Sequence, residues 1–306
     1  MELKSIKTKT LNYQCFEKEL MEEVSRYIGN GYRAHIVNIE KLNTNPQPAI
    51  VLQKMDQAQS SSPAFYLDSK FDAYNAGTPI ATLAAGIVRD YCADEKKVSY
   101  DARKYLQYEE IKEKIICRLY GCAKNDNLLR QVPHKEILSN LVVVFYCEID
   151  ADKSILIRNN HINIWGIEDE ELFETALANT RRMYPPRIVP LYQCLEEIMD
   201  LSPELLETKD AVSAYILTNE RCLFGAVDIL YDDVLSAVCR RLGSEKVYLL
   251  PSSIHEWIVL GAARMNPSAL RQIVSEINEK YVSAEDVLID AVYSYEMYNK
   301  RLSIEA

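Results

Sequence analysis

The chain has 306 residues, enough for two modest domains or one large one. Its 48 % hydrophobic and 26 % charged content is that of a soluble globular protein, and no apolar run approaches the ~20 residues that span a bilayer. A formal net charge of −10 disfavours nucleic acid and anionic membrane as partners.

The opening stretch MELKSIKTKTLNYQCF carries lysines with no apolar segment behind them, so no secretory signal is expected and the cytoplasm is the expected location. About the first ten residues are expected to fray. Residues 12–28 place Cys15, Phe16, Leu20, Val24, Tyr27 and Ile28 along one side of an amphipathic helix that Gly29-Asn30-Gly31 stops. Residues 32–42 alternate as a strand carrying His35, 43–48 turn, and 49–54 complete a hairpin. The QAQSSSP stretch in 56–63 reads as an exposed loop. A strand over 64–68 and a helical turn over 71–76 follow, and Thr78-Pro79 caps and opens a helix to about Cys92. Asp68 and Asp72 cap or solvate that turn rather than pair around a cation.

Residues 105–112 read as helix and 115–120 as strand, with Asn125-Asp126-Asn127 a polar turn or N-cap. That run lacks the alternating ligands of a calcium loop. Residues 141–149 are almost continuously apolar, the pattern of a central strand buried on both faces. A partner strand at 154–158 follows across a turn at 150–152. Residues 168–182 form an amphipathic helix with Leu172, Phe173, Ala176 and Leu177 as its stripe, an acidic first turn, and Pro185-Pro186 as its stop. A strand at 188–191 and a helix at 193–199 are expected next.

Residues 215–218 read as a strand, and 223–230, apolar except for Asp228, as its hairpin partner. Residues 232–242 place Val234, Leu235, Val238, Cys239 and Leu242 at helical spacing. Asp232 and Asp233 suit the positive end of that helix, Arg240 and Arg241 the negative end, and Gly243 the C′ stop. A strand over 246–250 is ended by Pro251. Residues 267–280 form a helix with Leu270, Ile273, Val274 and Ile277 inward, Ser283 and Asp286 cap a short helix, and 291–297 close the fold as a strand.

The eight cysteines contain no CxxC pair, so buried reduced thiols are expected, and with only four histidines no metal site is expected. Neither GxGxxG, GxxxxGK[ST], HExxH nor GxSxG occurs, so no nucleotide-type cofactor is expected and none of any other kind is indicated. The local exception to the acidic balance is a possible basic patch at Arg181, Arg182 and Arg187. Twenty tyrosines against six phenylalanines would suit protein recognition, although Tyr66, Tyr146, Tyr215 and Tyr248 fall at strand positions.

Pro251-Ser252-Ser253-Ile254-His255-Glu256 brings a serine, a histidine and a carboxylate within five residues. Neighbours in sequence rarely converge as a triad, and Ser253 and Glu256 at i,i+3 match a capping box or turn. His161 and His255 each follow a strand and sit among small polar groups. Should both turns reach one sheet end, a candidate cleft would comprise Asn160, His161, Asn219, Arg221, Ser252, Ser253, His255 and Glu256.

The segments LTN (217–219), FGA (224–226) and LPSSIHE (250–256), with VPH (132–134), VVVFYCEI (142–149) and NNHINIWGI (159–167), resemble the uncharacterised bacterial family domain of unknown function 5688 across nearly the whole chain. Residues 160–180 are also similar to part of domain of unknown function 1444. Neither resemblance implies an activity or a catalytic residue.

The expected fold is α+β: mainly antiparallel sheet with packed amphipathic helices and recurring strand–turn–helix units at 64–91, 154–182 and 224–242. The expected division is an N-terminal α+β domain over 1–130 and a C-terminal one over 131–306, or one continuous unit. The expected function is a non-catalytic module binding a protein or peptide. The alternative is a hydrolase with His255 or His161 as general base.

Overall fold

The structure, a computed structural model, describes residues 11–55, 63–97, 105–150, 153–194, 214–262 and 266–305. It is α+β, with antiparallel sheets and packed helices, as the patterns above require. The chain forms two compact units, Met1–Tyr105 and Leu106–Ala306. A strand at 115–121 is paired along its whole length with one at 141–147.

In the first unit, the Asn12 side chain accepts the Cys15 N–H at 2.9 Å and opens α1 (Tyr13–Ile28). Strands β1 (Tyr32–Ile39) and β2 (Gln47–Lys54) form the expected hairpin, and β3 (Ala64–Tyr66) pairs with β2. Helices α2 (Leu67–Asn75) and α3 (Ile80–Lys97) complete the unit. Its core gathers Phe16, Leu20 and Val24 of α1, Ile50 and Leu52 of β2, Leu67 of α2 and Ile87 of α3. Burying each such side chain contributes about 1.5–3 kcal/mol. Asp68 accepts the Tyr13 hydroxyl. The loop expected over 56–63 lies, but for Pro63, outside the described residues.

The second unit begins with α4 (Tyr108–Ile111), β4 (Ile115–Gly121), α5 (Asp126–Leu129) and β5 (His134–Leu138). The central strand β6 (Leu141–Asp150) pairs with β4 on one edge and with β5 and β7 (Lys153–Leu156) on the other. It is buried from Leu141 to Glu148, as its apolar run predicts. Then come α6 (Asn159–Trp165) and α7 (Asp169–Met183), and the Thr180 hydroxyl of α7 accepts the Cys117 N–H of β4 at 2.9 Å. A larger antiparallel sheet comprises β8 (Pro186–Pro190), β9 (Ala214–Asn219), β10 (Lys246–Ser253), β11 (Glu256–Gly261), β12 (Tyr293–Glu296) and β13 (Arg301–Ile304), in the order β13-β12-β10-β11-β9-β8. Helix α8 (Asp232–Leu242) ends at Gly243 with φ +59, and α9 (Pro267–Tyr281) packs on β10. The helix expected over 193–199 lies, beyond Cys194, outside the described residues.

Several expectations need correction. Residues 223–230 are not a strand: Cys222 and Phe224 take φ +52 and +56, which turns the chain into a 3-10 helix over Gly225–Leu230. Strand β9 pairs instead with β8 and β11. The 225–230 segment is apolar because it is enclosed as a helical turn, with Val227 and Asp228 both at 0 % exposure. Second, of the two alternatives read for Ser253 and Glu256, a capping box or a turn, they flank a turn at 254–255 and form no capping box. They oppose one another across the β10–β11 hairpin, whose register shifts between Pro251 and Ser253, so β10 runs through Pro251. Third, only one edge of α9 meets the sheet: Val274 is buried and Leu270 packs beside it, while Ile273 and Ile277 remain 50 % and 37 % exposed. Likewise Ser283 and Asp286 form a turn rather than a helix cap, the Ser283 hydroxyl donating to Asp286 Oδ2 at 2.7 Å. Fourth, the thiols are free, but only Cys117, Cys147 and Cys239 are buried. Among the described residues no helix is long and apolar enough to cross a membrane.

Candidate functional site

Three separate segments meet at the end of β9. The Asn219 side chain wraps its own turn, accepting the N–H groups of Arg221 and Leu223 at 3.0 and 3.3 Å and donating to the Leu223 carbonyl at 2.8 Å. Phe224 then takes a left-handed conformation that costs a non-glycine residue about 1–3 kcal/mol. Its N–H donates to His255 Nδ1 at 3.0 Å. The His255 carbonyl in turn accepts the Thr218 hydroxyl at 2.9 Å. A Cβ on Gly225 would lie 2.7 Å from that carbonyl and 2.8 Å from the Asn219 nitrogen, so only glycine fits this junction. The Trp257 indole N–H closes the knot on the Ala226 carbonyl at 2.7 Å.

This knot forms one wall of a cleft of about 240 Å³. Asn219, Leu223 and Phe224 line that wall; Ile116, Cys117 and Arg118 come from β4, Glu148 and Asp150 from β6, Lys153 and Ser154 from β7, and Thr180 and Tyr184 from α7 and its end. The register opposes Arg118 to Val144 and Glu148 to Ser154, so the two-residue alternation puts Arg118, Tyr146, Glu148 and Ser154 on one face of the smaller sheet. The Arg118 guanidinium stacks between Phe224 at 3.7 Å and Tyr146 at 4.2 Å and donates to the Ser154 hydroxyl at 3.0 Å. Its Nε is buried with no partner among the described residues.

Glu148 is 8 % exposed. Its Oε1 accepts the Tyr184 hydroxyl and lies 3.5 Å from the Arg221 guanidinium, which stacks on the Tyr184 ring. Its Oε2 is buried with no partner among the described residues. Burial, then the bond to Glu148, pushes the Tyr184 hydroxyl up to about 12. Burial likewise pushes the Cys117 thiol up to about 12, so this cleft residue is a neutral thiol, not a thiolate nucleophile. Asp228 lies in the 3-10 turn that follows the knot. Burial raises its carboxyl to about 8 against the pull of Arg181, and neither oxygen has a partner among the described residues.

The residues singled out in the sequence fall into three groups. Asn219 lines the cleft, and Arg221 reaches it through Glu148 and Tyr184. His255, Ser252, Ser253 and Glu256 build the hairpin behind it. The Ser253 hydroxyl accepts the His255 N–H at 3.0 Å, the Ser252 hydroxyl donates to Glu256 at 3.2 Å, and His255 Nε2 faces Asp286 Oδ1 at 3.2 Å. Asn160 and His161 lie on α6, Asn160 exposed. His161 Nδ1 accepts the Arg158 N–H at 3.1 Å, its ring stacks on Trp165, and burial beside Arg158 lowers its proton affinity. Neither histidine is among the cleft-lining residues, and the two share no partner among the described residues. Two arginines of the expected basic patch are paired: Arg181 forms a two-pronged pair with Asp233 at 2.8 and 2.6 Å, and Arg182 reaches Glu113 at 3.2 Å, while Arg187 is exposed.

Sequence reading missed Arg118, Glu148, Tyr184 and Phe224. A signal existed for two of them. Arg118 in IICRLYG and Glu148 in LVVVFYCEID are isolated charges inside apolar strands, and such charges are rarely buried without a partner.

Comparison with known proteins places the chain. The model of a family of unknown function (DUF5688) matches residues 13–297, and the chain belongs to that family. No curated protein and no solved structure matches it.

Proposed function

We propose that this member of the DUF5688 family is a cytoplasmic, non-catalytic module that binds a protein or peptide through the cleft between the smaller sheet and the 219–224 knot. The observation that carries the reading is Glu148 Oε2, a buried carboxylate oxygen at the cleft with no protein donor among the described residues. Leaving such a group unpaired costs about 1–3 kcal/mol or more, which an incoming N–H donor would recover. The apolar contributions of Ile116, Leu223 and Phe224, with a few convergent polar groups, are the composition of a binding pocket.

The competing hydrolase reading has less support. The Nδ1 of each histidine accepts a backbone N–H, so the neutral ring carries its proton on Nε2, and the Nε2–H of His255 points to Asp286. The Ser283 hydroxyl bonds to Asp286 rather than to the imidazole, which is not the order of a nucleophile and its base.

The test is an array of random short peptides probed with the full chain and with Glu148→Gln, followed by mass spectrometry of every bound peptide. Peptides that bind the parent, bind the variant about tenfold or more weakly and remain intact support the reading. Absence of any bound peptide, or equal binding by the variant, overturns it, and cleaved peptides favour the hydrolase instead.

A further inference from the structure

We infer that the cleft reads a zwitterion: an ammonium group seated on Glu148 and a carboxylate seated on Arg118, as carried by a free α-amino acid or a short unmodified peptide. The inference rests on the binding role proposed above and specifies its ligand. Two buried atoms among the cleft-lining residues lack partners among the described residues, and they are of opposite kind. Glu148 Oε2 needs a donor and Arg118 Nε–H needs an acceptor. A ligand of one charge would satisfy one and leave the other desolvated.

The surrounding contacts hold both groups ready. Glu148 is fixed through Oε1 by Tyr184 and Arg221, so Oε2 is the oxygen left for a ligand. Arg118 is clamped between Phe224 and Tyr146 and tied to Ser154, so little side-chain freedom remains to be lost on binding. Both orphaned groups belong to ionisable side chains, and hydrogen bonds to charged partners are about twice as strong as neutral ones. The cleft of about 240 Å³ is smaller than the roughly 300–1,000 Å³ of pockets for drug-sized molecules, so an amino acid or a dipeptide is its scale.

The experiment is calorimetric titration of the full chain with the twenty free α-amino acids and a panel of unmodified dipeptides. Every ligand that binds is then repeated N-acetylated, C-amidated and doubly capped. The expected result is that at least one free compound binds and that each single cap weakens it about tenfold or more. The Glu148→Gln variant should lose the sensitivity to N-acetylation while keeping the sensitivity to C-amidation. Binding by amino acids or only by dipeptides identifies which source of the shared chemistry is used. Doubly capped peptides that bind as well as free ones overturn the zwitterion while leaving peptide binding intact. The zwitterion is likewise overturned if array peptides bind but no free amino acid or dipeptide does. Silence from the array and the titrations alike overturns both readings.

Discussion

The imidazole of His255 accepts the backbone N–H of Phe224 at 3.0 Å, and the Phe224 ring lies 3.7 Å from the Arg118 guanidinium. A histidine on one hairpin thus sets a cleft wall formed by another segment without lining the cleft itself. His255→Ala removes the acceptor that holds Phe224 at positive φ. The expected cost is about 1–3 kcal/mol in chemical denaturation, with faster hydrogen exchange at the Phe224 amide and a retained fold. Unchanged exchange at that amide would show that the bond does not hold the turn.

Gly225→Ala should be among the most damaging single-methyl additions in the chain. The new Cβ meets the His255 carbonyl at 2.7 Å and the Asn219 nitrogen at 2.8 Å, and backbone cannot rotate away as a side-chain end can. A loss of about 3 kcal/mol is expected. Gly243→Ala is the control: its φ is +59 but nothing lies within 4 Å of the new methyl. About 1 kcal/mol is expected there, from backbone strain alone. Denaturant midpoints compare the two directly.

Asp228 should make stability fall as pH rises. Burial lifts its carboxyl from 3.8 to about 8, so the folded chain keeps a proton that the unfolded chain releases. Below about pH 4 both states are protonated and no penalty exists. Between about 4 and 8 the folded state binds more protons, and the unfolding free energy from this group falls by up to about 1.4 kcal/mol per pH unit, levelling off above 8. Asp228→Asn, with no proton to release, should flatten that slope in denaturation curves taken from pH 5 to 8. A slope equal to the parent's would show that Asp228 is not the titrating group.

Tyr184→Phe and Arg221→Met separate the two partners of Glu148. The tyrosine hydroxyl is a buried donor to a buried carboxylate, so its loss should cost about 1–3 kcal/mol. Arg221 is 46 % exposed and 3.5 Å away, so its loss should cost less than about 1 kcal/mol. The reverse ranking in thermal or chemical denaturation would make the arginine the true support of Glu148.

Elements specified locally were legible in the sequence. β6 announced itself as an apolar run long enough to be buried on both faces, α7 by its acidic first turn and Pro185-Pro186 stop, and α8 by its acidic first turn and basic last turn. The 223–230 segment was misread because its apolar composition suits a strand. What makes it a 3-10 turn is positive φ at Cys222 and Phe224, held by His255 from 31 residues away. β11 was missed because Ser253 and Glu256 have the spacing of a helix cap, and only the hairpin register shows them opposed. The site was half legible: Asn219 and Arg221 reach the cleft. Arg118, Glu148 and Tyr184 meet there only through sheet register and the end of α7, contacts no local pattern encodes.

The most direct test of the account is a chemical-shift titration of the isotopically labelled full chain with a peptide or amino acid that binds it. The account predicts shifts concentrated at Arg118, Glu148, Tyr184 and the 219–224 turn, with Glu148→Gln moving the titration to about tenfold or more higher ligand concentration. Shifts centred instead on His161 or elsewhere, with these residues unmoved, would contradict it.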